Sequence, residues 1–198
     1  MVLVDGKEFL DANRLLLDSY RLARMVLLSE FKPTFMIGIW RGGTPIGIAV
    51  QEYLAAHGVS TDHIAIRTSG YRAGIDQRED AVAVHGLEYM VEHANASDRL
   101  LIVDDVWDKG RSIQAVKETL ERRMRRNIPA DIKVATIHYK PNRNEMNGKP
   151  DFYLYETDAW LIYPHELHGL STEEIRKGKG YAVADLMVPE RLVGKDTP

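Results

Sequence analysis

Short apolar runs alternate along the chain with longer amphipathic stretches. In residues 8–29, Leu15, Leu16, Leu22, Ala23, Val26 and Leu27 fall near helical spacing, and Lys32-Pro33 breaks the pattern. This stretch therefore predicts an amphipathic helix. FMIGIW (35–40) is apolar throughout and stops at Arg41-Gly42-Gly43, as a buried strand entering a tight loop would. PIGIAVQEYLAAHG (45–58) predicts a helix with proline in its first turn and Gly58 just past its end. HIAIRT (63–68), LLIVDD (100–105) and DIKVATIHYK (131–140) predict further strands, and DAWLIYP (158–164) predicts a fifth. SIQAVKETLERRMRR (112–126) places Ile113, Val116, Leu120 and Met124 on one helical face. Nearly all-apolar strands that alternate with helices predict an α/β fold whose central parallel sheet is covered on both faces.

In such sheets the ligand binds beyond the carboxyl ends of the strands. The unusual clusters fall there, at 40–43, 67–71, 104–112 and 139–143. The most telling is LLIVDDVWDKGRS (100–112), where a strand runs into Asp104 and Asp105, then Asp108, then Lys109-Gly110-Arg111. Gly110 and its neighbours can turn their backbone N–H groups toward one point, with the positive end of the next helix behind them. That suits a phosphate. Ser112 can cap the helix or donate its hydroxyl to the same anion. The aspartates repel a phosphate and suit hydroxyls, a divalent metal or a developing cation. A phosphorylated ribose is the simplest ligand that satisfies both halves.

Composition narrows the classes. With 198 residues, 44% hydrophobic and 28% charged, the chain has the material for a single domain with a sizeable core. A net charge of −3 gives no general reason to expect nucleic acid or a membrane surface as partner. The absence of cysteine excludes a disulfide framework and thiolate chemistry. MVLVDGKEFL has no signal-peptide pattern, and no apolar run approaches membrane-spanning length, so a cytoplasmic protein is expected. The basic cluster RRMRRN (122–127) lies at a predicted helix end, where cations suit the dipole, so nucleic-acid binding is not inferred from it. No G-x-G-x-x-G opens the first helix, which argues against a dinucleotide module.

VDDVWDKGRS resembles the signature of the type I phosphoribosyltransferases: a hydrophobic strand, two acidic residues, then Asp-Thr-Gly-x-Thr. IGIWRGGTPIG (37–47) resembles the family's pyrophosphate-binding loop. ATIHYKP (135–141) and DAWLIYPHEL (158–167) resemble the purine-recognition segments of the bacterial xanthine-guanine and hypoxanthine enzymes. The resemblance covers about residues 33–167. It implies a type I fold with a core at about 30–142, a lid at about 69–86 and a small hood from about 143–198. It also implies transfer of ribose 5-phosphate from phosphoribosyl pyrophosphate (PRPP) to a 6-oxopurine, giving pyrophosphate and a nucleoside monophosphate. Mg²⁺ is the implied cofactor, and a homo-oligomer, most simply a dimer, is the implied assembly. A PRPP-binding regulator with little turnover stays open as the alternative.

Residue by residue, the resemblance implies that Asp104 and Asp105 hold the ribose hydroxyls, directly or through Mg²⁺. Asp108, Lys109, Gly110, Arg111 and Ser112 would cradle the 5-phosphate, with Asp108 also the proton acceptor facing purine N7. Trp40, Arg41, Gly42 and Gly43 would bind pyrophosphate, and the Trp40–Arg41 peptide can be cis in relatives. Ser69, Gly70, Tyr71 and Arg72 are lid contacts, and AVAVHGL (81–87) is a candidate hairpin at the lid's base. Lys140 would donate to the purine 6-oxo group, Trp160 stack on the base, and the Leu161 backbone meet its edge. Glu166 stands where relatives carry an aspartate near metal and base. The chain departs from the family at Lys109, which replaces a threonine; its ammonium would either pair with the phosphate or point to solvent.

Overall fold

A computed structural model of the chain describes residues 2–70 and 82–187. In chain order the elements are β1 (Val2–Val4), β2 (Lys7–Phe9), α1 (Ala12–Leu28), β3 (Phe35–Trp40), α2 (Gly43–Ala56), β4 (Asp62–Gly70), β5 (Val82–His85), α3 (Glu88–His93), β6 (Arg99–Trp107), α4 (Arg111–Met124), β7 (Asp131–Tyr139), β8 (Phe152–Glu156), β9 (Trp160–Ile162), α5 (Thr172–Lys179) and α6 (Tyr181–Leu186). They form two compact units, divided between Leu15 and Leu16 and between Asp158 and Ala159.

The larger unit, Leu16–Asp158, is built on a six-stranded sheet in the order β5-β4-β3-β6-β7-β8. Every pairing is parallel except β4 with β5. This is the predicted α/β architecture. The run 35–40 is β3 end to end, and the other three predicted strands of this sheet lie at β4, β6 and β7. Leu100, Leu101, Ile102 and Val103 of β6 are all buried, as befits a strand with neighbours on both edges. α4 buries Ile113, Val116, Leu120 and Met124, the stripe that periodicity marks. In α2, Gly47 faces Gly38 of β3, where a Cβ would lie 3.7 Å from Gly38 Cα, so helix and strand approach closely.

The smaller unit contains residues 2–15 and 159–187. Its sheet runs β1-β2-β9, with β2 and β9 parallel. Val4, Phe9 and Ile162 form its apolar centre with Leu170. Helix α5 opens on a capping box, in which Ser171 accepts from the Glu174 N–H and Glu174 accepts from the Ser171 N–H. Lys7 pairs with Glu174 at 2.6 Å.

Three expectations are corrected. The predicted helix 8–29 starts only at Ala12, because Lys7–Phe9 are taken into β-pairing with β1 and β9. Leu16 is exposed, while Asp18 and Ser19 occupy the buried face together with Leu22, Ala23 and Val26. The predicted fifth strand does form, but it joins the small sheet; the edge beside β7 is filled by β8.

The buried carboxylate of α1, Asp18, lies near a histidine of β7. Tyr155 donates to Asp18 at 3.1 Å, and Arg21 donates to the same carboxylate at 2.7 Å. The His138 ring lies 5.5 Å from that of Tyr155. Burial pushes the His138 imidazole down to about 4, with Asp18 opposing the shift and Lys140 adding to it. Its folded pKa thus lies below the ordinary 6.5, so the unfolded chain takes up the proton first. Stability from this residue is complete above pH 6.5 and is lost as pH falls toward 4, by about 2–3 kcal/mol. Denaturant unfolding of the native chain and of His138→Gln across that window should show a steeper decline for the native chain. Parallel curves would mean that His138 titrates normally.

Candidate active site

β3 and β6 lie side by side at the centre of the sheet and run parallel. From β3 the chain crosses through α2 to β4 on one side; from β6 it crosses through α4 to β7 on the other. The two crossovers diverge, which opens a crevice at the carboxyl ends of these strands. Two loops meet there. A Cβ on Gly43 would lie 2.3 Å from the Val103 carbonyl oxygen and 2.8 Å from Asp104 Cα. A Cβ on Gly42 would lie 1.7 Å from Asp105 Oδ2. Only glycines let the first loop sit this closely on the acidic end of β6. The Trp40–Arg41 peptide is cis, and Trp40 is 56% exposed.

Asp104 and Asp105 are part of β6 itself. Asp104 accepts from the Asp105 N–H at 3.0 Å, and Asp105 accepts from the Val106 N–H at 2.8 Å. Burial pushes the Asp104 carboxyl well above the usual carboxylate range, and the charge of Asp105 adds to the shift. The amides of Asp105 and Gly43 oppose it. The pair is therefore short of positive charge.

Gly110 has a φ of +79° and opens α4. A side chain there would also meet Trp107 Nε1 at 2.6 Å and Met146 Cγ at 3.0 Å. No side chain caps the helix, so Ser112 in its first turn is not a cap, and one of the two roles open to it falls away. Residues 104–113 and Val82 line an open cavity of about 410 Å³. Val82 begins β5, which pairs with β4 so that Ser69 faces Ala83 and Gly70 faces Val82. Of the candidate hairpin at 81–87, residues 82–85 form β5, paired antiparallel with β4, and Ala81 lies outside the described residues. Tyr71 and Arg72 lie outside the described residues.

Lys140 follows β7 and is only 5% exposed. Its N–H donates to the Trp107 carbonyl at 2.9 Å, and its ammonium lies 3.7 Å from Asp108 Oδ2. Arg143 Nε lies 2.8 Å from Asp108 Oδ1, which nevertheless has no aligned hydrogen-bond donor among the described residues. The segment after Lys140 continues along the glycine loop. Trp107 donates to Asn144 at 2.9 Å. Glu145 pairs with Lys109 at 2.6 Å and with Arg111 at 2.5 Å. Lys109 thus has a partner that neither sequence-based alternative included. Arg143, Asn144 and Glu145 were missed from sequence. Their only local signal is scattered charge in a polar loop, and the glycine-loop residues they contact lie more than thirty residues earlier in the chain.

The remaining candidates belong to the smaller unit. Trp160 is 63% exposed, with the Lys7 ammonium 5.0 Å over its ring. Leu161 is buried, and Glu166 accepts from the Tyr163 N–H at 3.0 Å. Among the described residues, no group of three or more His, Cys, Asp or Glu is placed to hold a metal unaided. An adjacent carboxylate pair still suits Mg²⁺, which takes one or two carboxylates and fills its shell with substrate phosphate and water.

Comparison with known proteins agrees with this geometry. Residues 5–165 match the family model described as phosphoribosyl transferase domain. A hypoxanthine-guanine phosphoribosyltransferase of Lactococcus lactis is 28% identical over 123 residues. That match covers 62% of this chain and spans 61% of the relative's length. The structure of a purine phosphoribosyltransferase from Pyrococcus horikoshii superposes with a TM-score of 0.63 at 23% identity, over 84% of this chain and 98% of that one. A Neisseria gonorrhoeae protein with bound ppGpp superposes with a TM-score of 0.67 at 19% identity, over 89% and 98%. With a divergent-crossover sheet, a glycine loop seated on paired aspartates and a family model spanning most of its length, the chain belongs to the phosphoribosyl transferase domain family.

Proposed function

We propose that the chain transfers ribose 5-phosphate from PRPP to a 6-oxopurine, releasing pyrophosphate and forming a nucleoside monophosphate. The observation that carries this reading is the seating of Gly42 and Gly43 on Val103–Asp105. It sets a loop suited to the leaving pyrophosphate against carboxylates suited to the ribose. Residues 108–112 line the same cavity as the two carboxylates, and backbone amides opening a helix suit the 5-phosphate. The Lactococcus relative's 6-oxopurine substrates support the choice of base, as does buried Lys140, whose ammonium can donate to a 6-oxo group.

Each residue then has a chemical task. Arg41 and the backbone of Gly42–Gly43 bind the leaving group. As the anomeric bond breaks, charge like that of an oxocarbenium ion builds on the ribose, and Asp104 and Asp105 stabilise it. Both would also hold Mg²⁺, which supplies positive charge that a crowded acid pair and a polyphosphate both need. The proton leaving the purine goes to Asp108, which lines the same cavity as Asp104 and Asp105. A binding-only regulator is the second reading, and the Arg143–Asp108 ion pair favours it by engaging the carboxylate that turnover needs.

A panel of hypoxanthine, guanine, xanthine and adenine with PRPP and Mg²⁺, read by pyrophosphate release, separates the two. Release with a 6-oxopurine is expected; PRPP binding without release would leave the regulator. Asp108→Asn should retain PRPP binding while turnover falls by about 10²–10⁴. Unchanged turnover would remove Asp108 from proton transfer. Gly42→Ala should fold, because the Asp105 side chain can swing aside, but bind PRPP roughly tenfold or more weakly. Gly43→Ala meets backbone and should instead lower the melting temperature. If both variants bind PRPP normally, the close approach of the loops has no part in binding.

A further inference from the structure

Among the described residues, Lys109 and Arg111 are the cationic side chains lining the cavity at 104–113. Both are bound to Glu145, which is not part of that lining. Each carboxylate oxygen is used: Oε1 lies 2.6 Å from Lys109 Nζ, and Oε2 lies 2.5 Å from Arg111 Nη2 and accepts from Arg111 Nε at 2.6 Å. The carboxylate is also anchored through its backbone, because the Glu145 N–H donates to the Lys109 carbonyl at 3.1 Å. Its neighbours also lie against this loop: Asn144 accepts from Trp107, and Met146 packs close to Gly110, where a Cβ would lie 3.0 Å from its Cγ. Glu145 is therefore a fixture of the glycine loop, attached at several points.

We infer that Glu145 is an internal counter-ion that competes with the ligand's 5-phosphate for Lys109 and Arg111, and so sets how tightly that phosphate is held. The inference rests on the proposed PRPP chemistry. A dianionic phosphate entering the loop meets two cations whose charge is already half neutralised. Binding then falls mainly to the backbone amides and the Ser112 hydroxyl. The lysine that replaces the family's usual threonine adds a positive charge, and Glu145 offsets it. Phosphate release is eased by the same competition, since the carboxylate recaptures both cations as the ligand leaves.

Calorimetric titration of ribose 5-phosphate into the full chain tests this. Glu145→Gln, which keeps shape and removes charge, should bind about 3- to 10-fold more tightly than the native chain. Its affinity should also fall more steeply with added KCl, because the freed cations are partly exposed. Combining it with Lys109→Ala should shrink the gain, since one of the two freed cations is then missing. Unchanged or weaker binding by Glu145→Gln, while the native chain binds normally, overturns the counter-ion role and leaves the PRPP reading intact. Failure of the native chain to bind either ribose 5-phosphate or PRPP overturns both.

Discussion

The backbone of residue 43 rests against the backbone of β6, and the crevice depends on that contact. Val103 offers its carbonyl and Asp104 its Cα at distances that no side chain at 43 could tolerate. Because the loop sits there, Asp104 is half-buried and lies beside the Gly43 amide. Because it sits there, the ends of β3 and β6 present their chemistry to one space. The divergence of the crossovers makes the space, and the two glycines bring its walls together.

Charge is distributed around this contact in a consistent way. The acid pair at 104–105 is crowded by like charge, which suits a cation arriving with its ligand. The cations at 109, 111, 140 and 143 are each already paired, with Glu145 or with Asp108. Ligand binding at such a site is an exchange of partners, and exchange moderates affinity while preserving geometry. The segment 140–146 supplies most of the partners, so it acts as a second wall of the glycine loop.

The parts legible from sequence were those with a strong local cause. β6 and α4 follow from an apolar run, a glycine and a helical stripe, all contiguous. The glycine pair after β3 could be recognised because two glycines beside an arginine suit an anion. β1 and β2 are three residues each, too short to carry a period, so a helical pattern extended over Glu8 and Phe9. In β8, aromatic residues and a glutamate hide the strand, since neither strict alternation nor a pure apolar run is present. Lys109 shows the limit most clearly. Its chemistry was evident, but its partner depends on a carboxylate 36 positions onward that only the folded chain brings near.

The pairing of Phe35 with Leu100 joins segments made far apart during synthesis. A growing chain that has released β3 and its glycine loop has nothing on which to seat it until β6 emerges. Parallel pairings across long separations carry a loop-closure cost before any contact repays it, and such sheets form slowly. During that interval the apolar strands β3 and β4 can pair with each other but keep one open edge between them and the missing β6. The order of the strands therefore makes a nascent chain most exposed to association with other chains just before its central strand arrives.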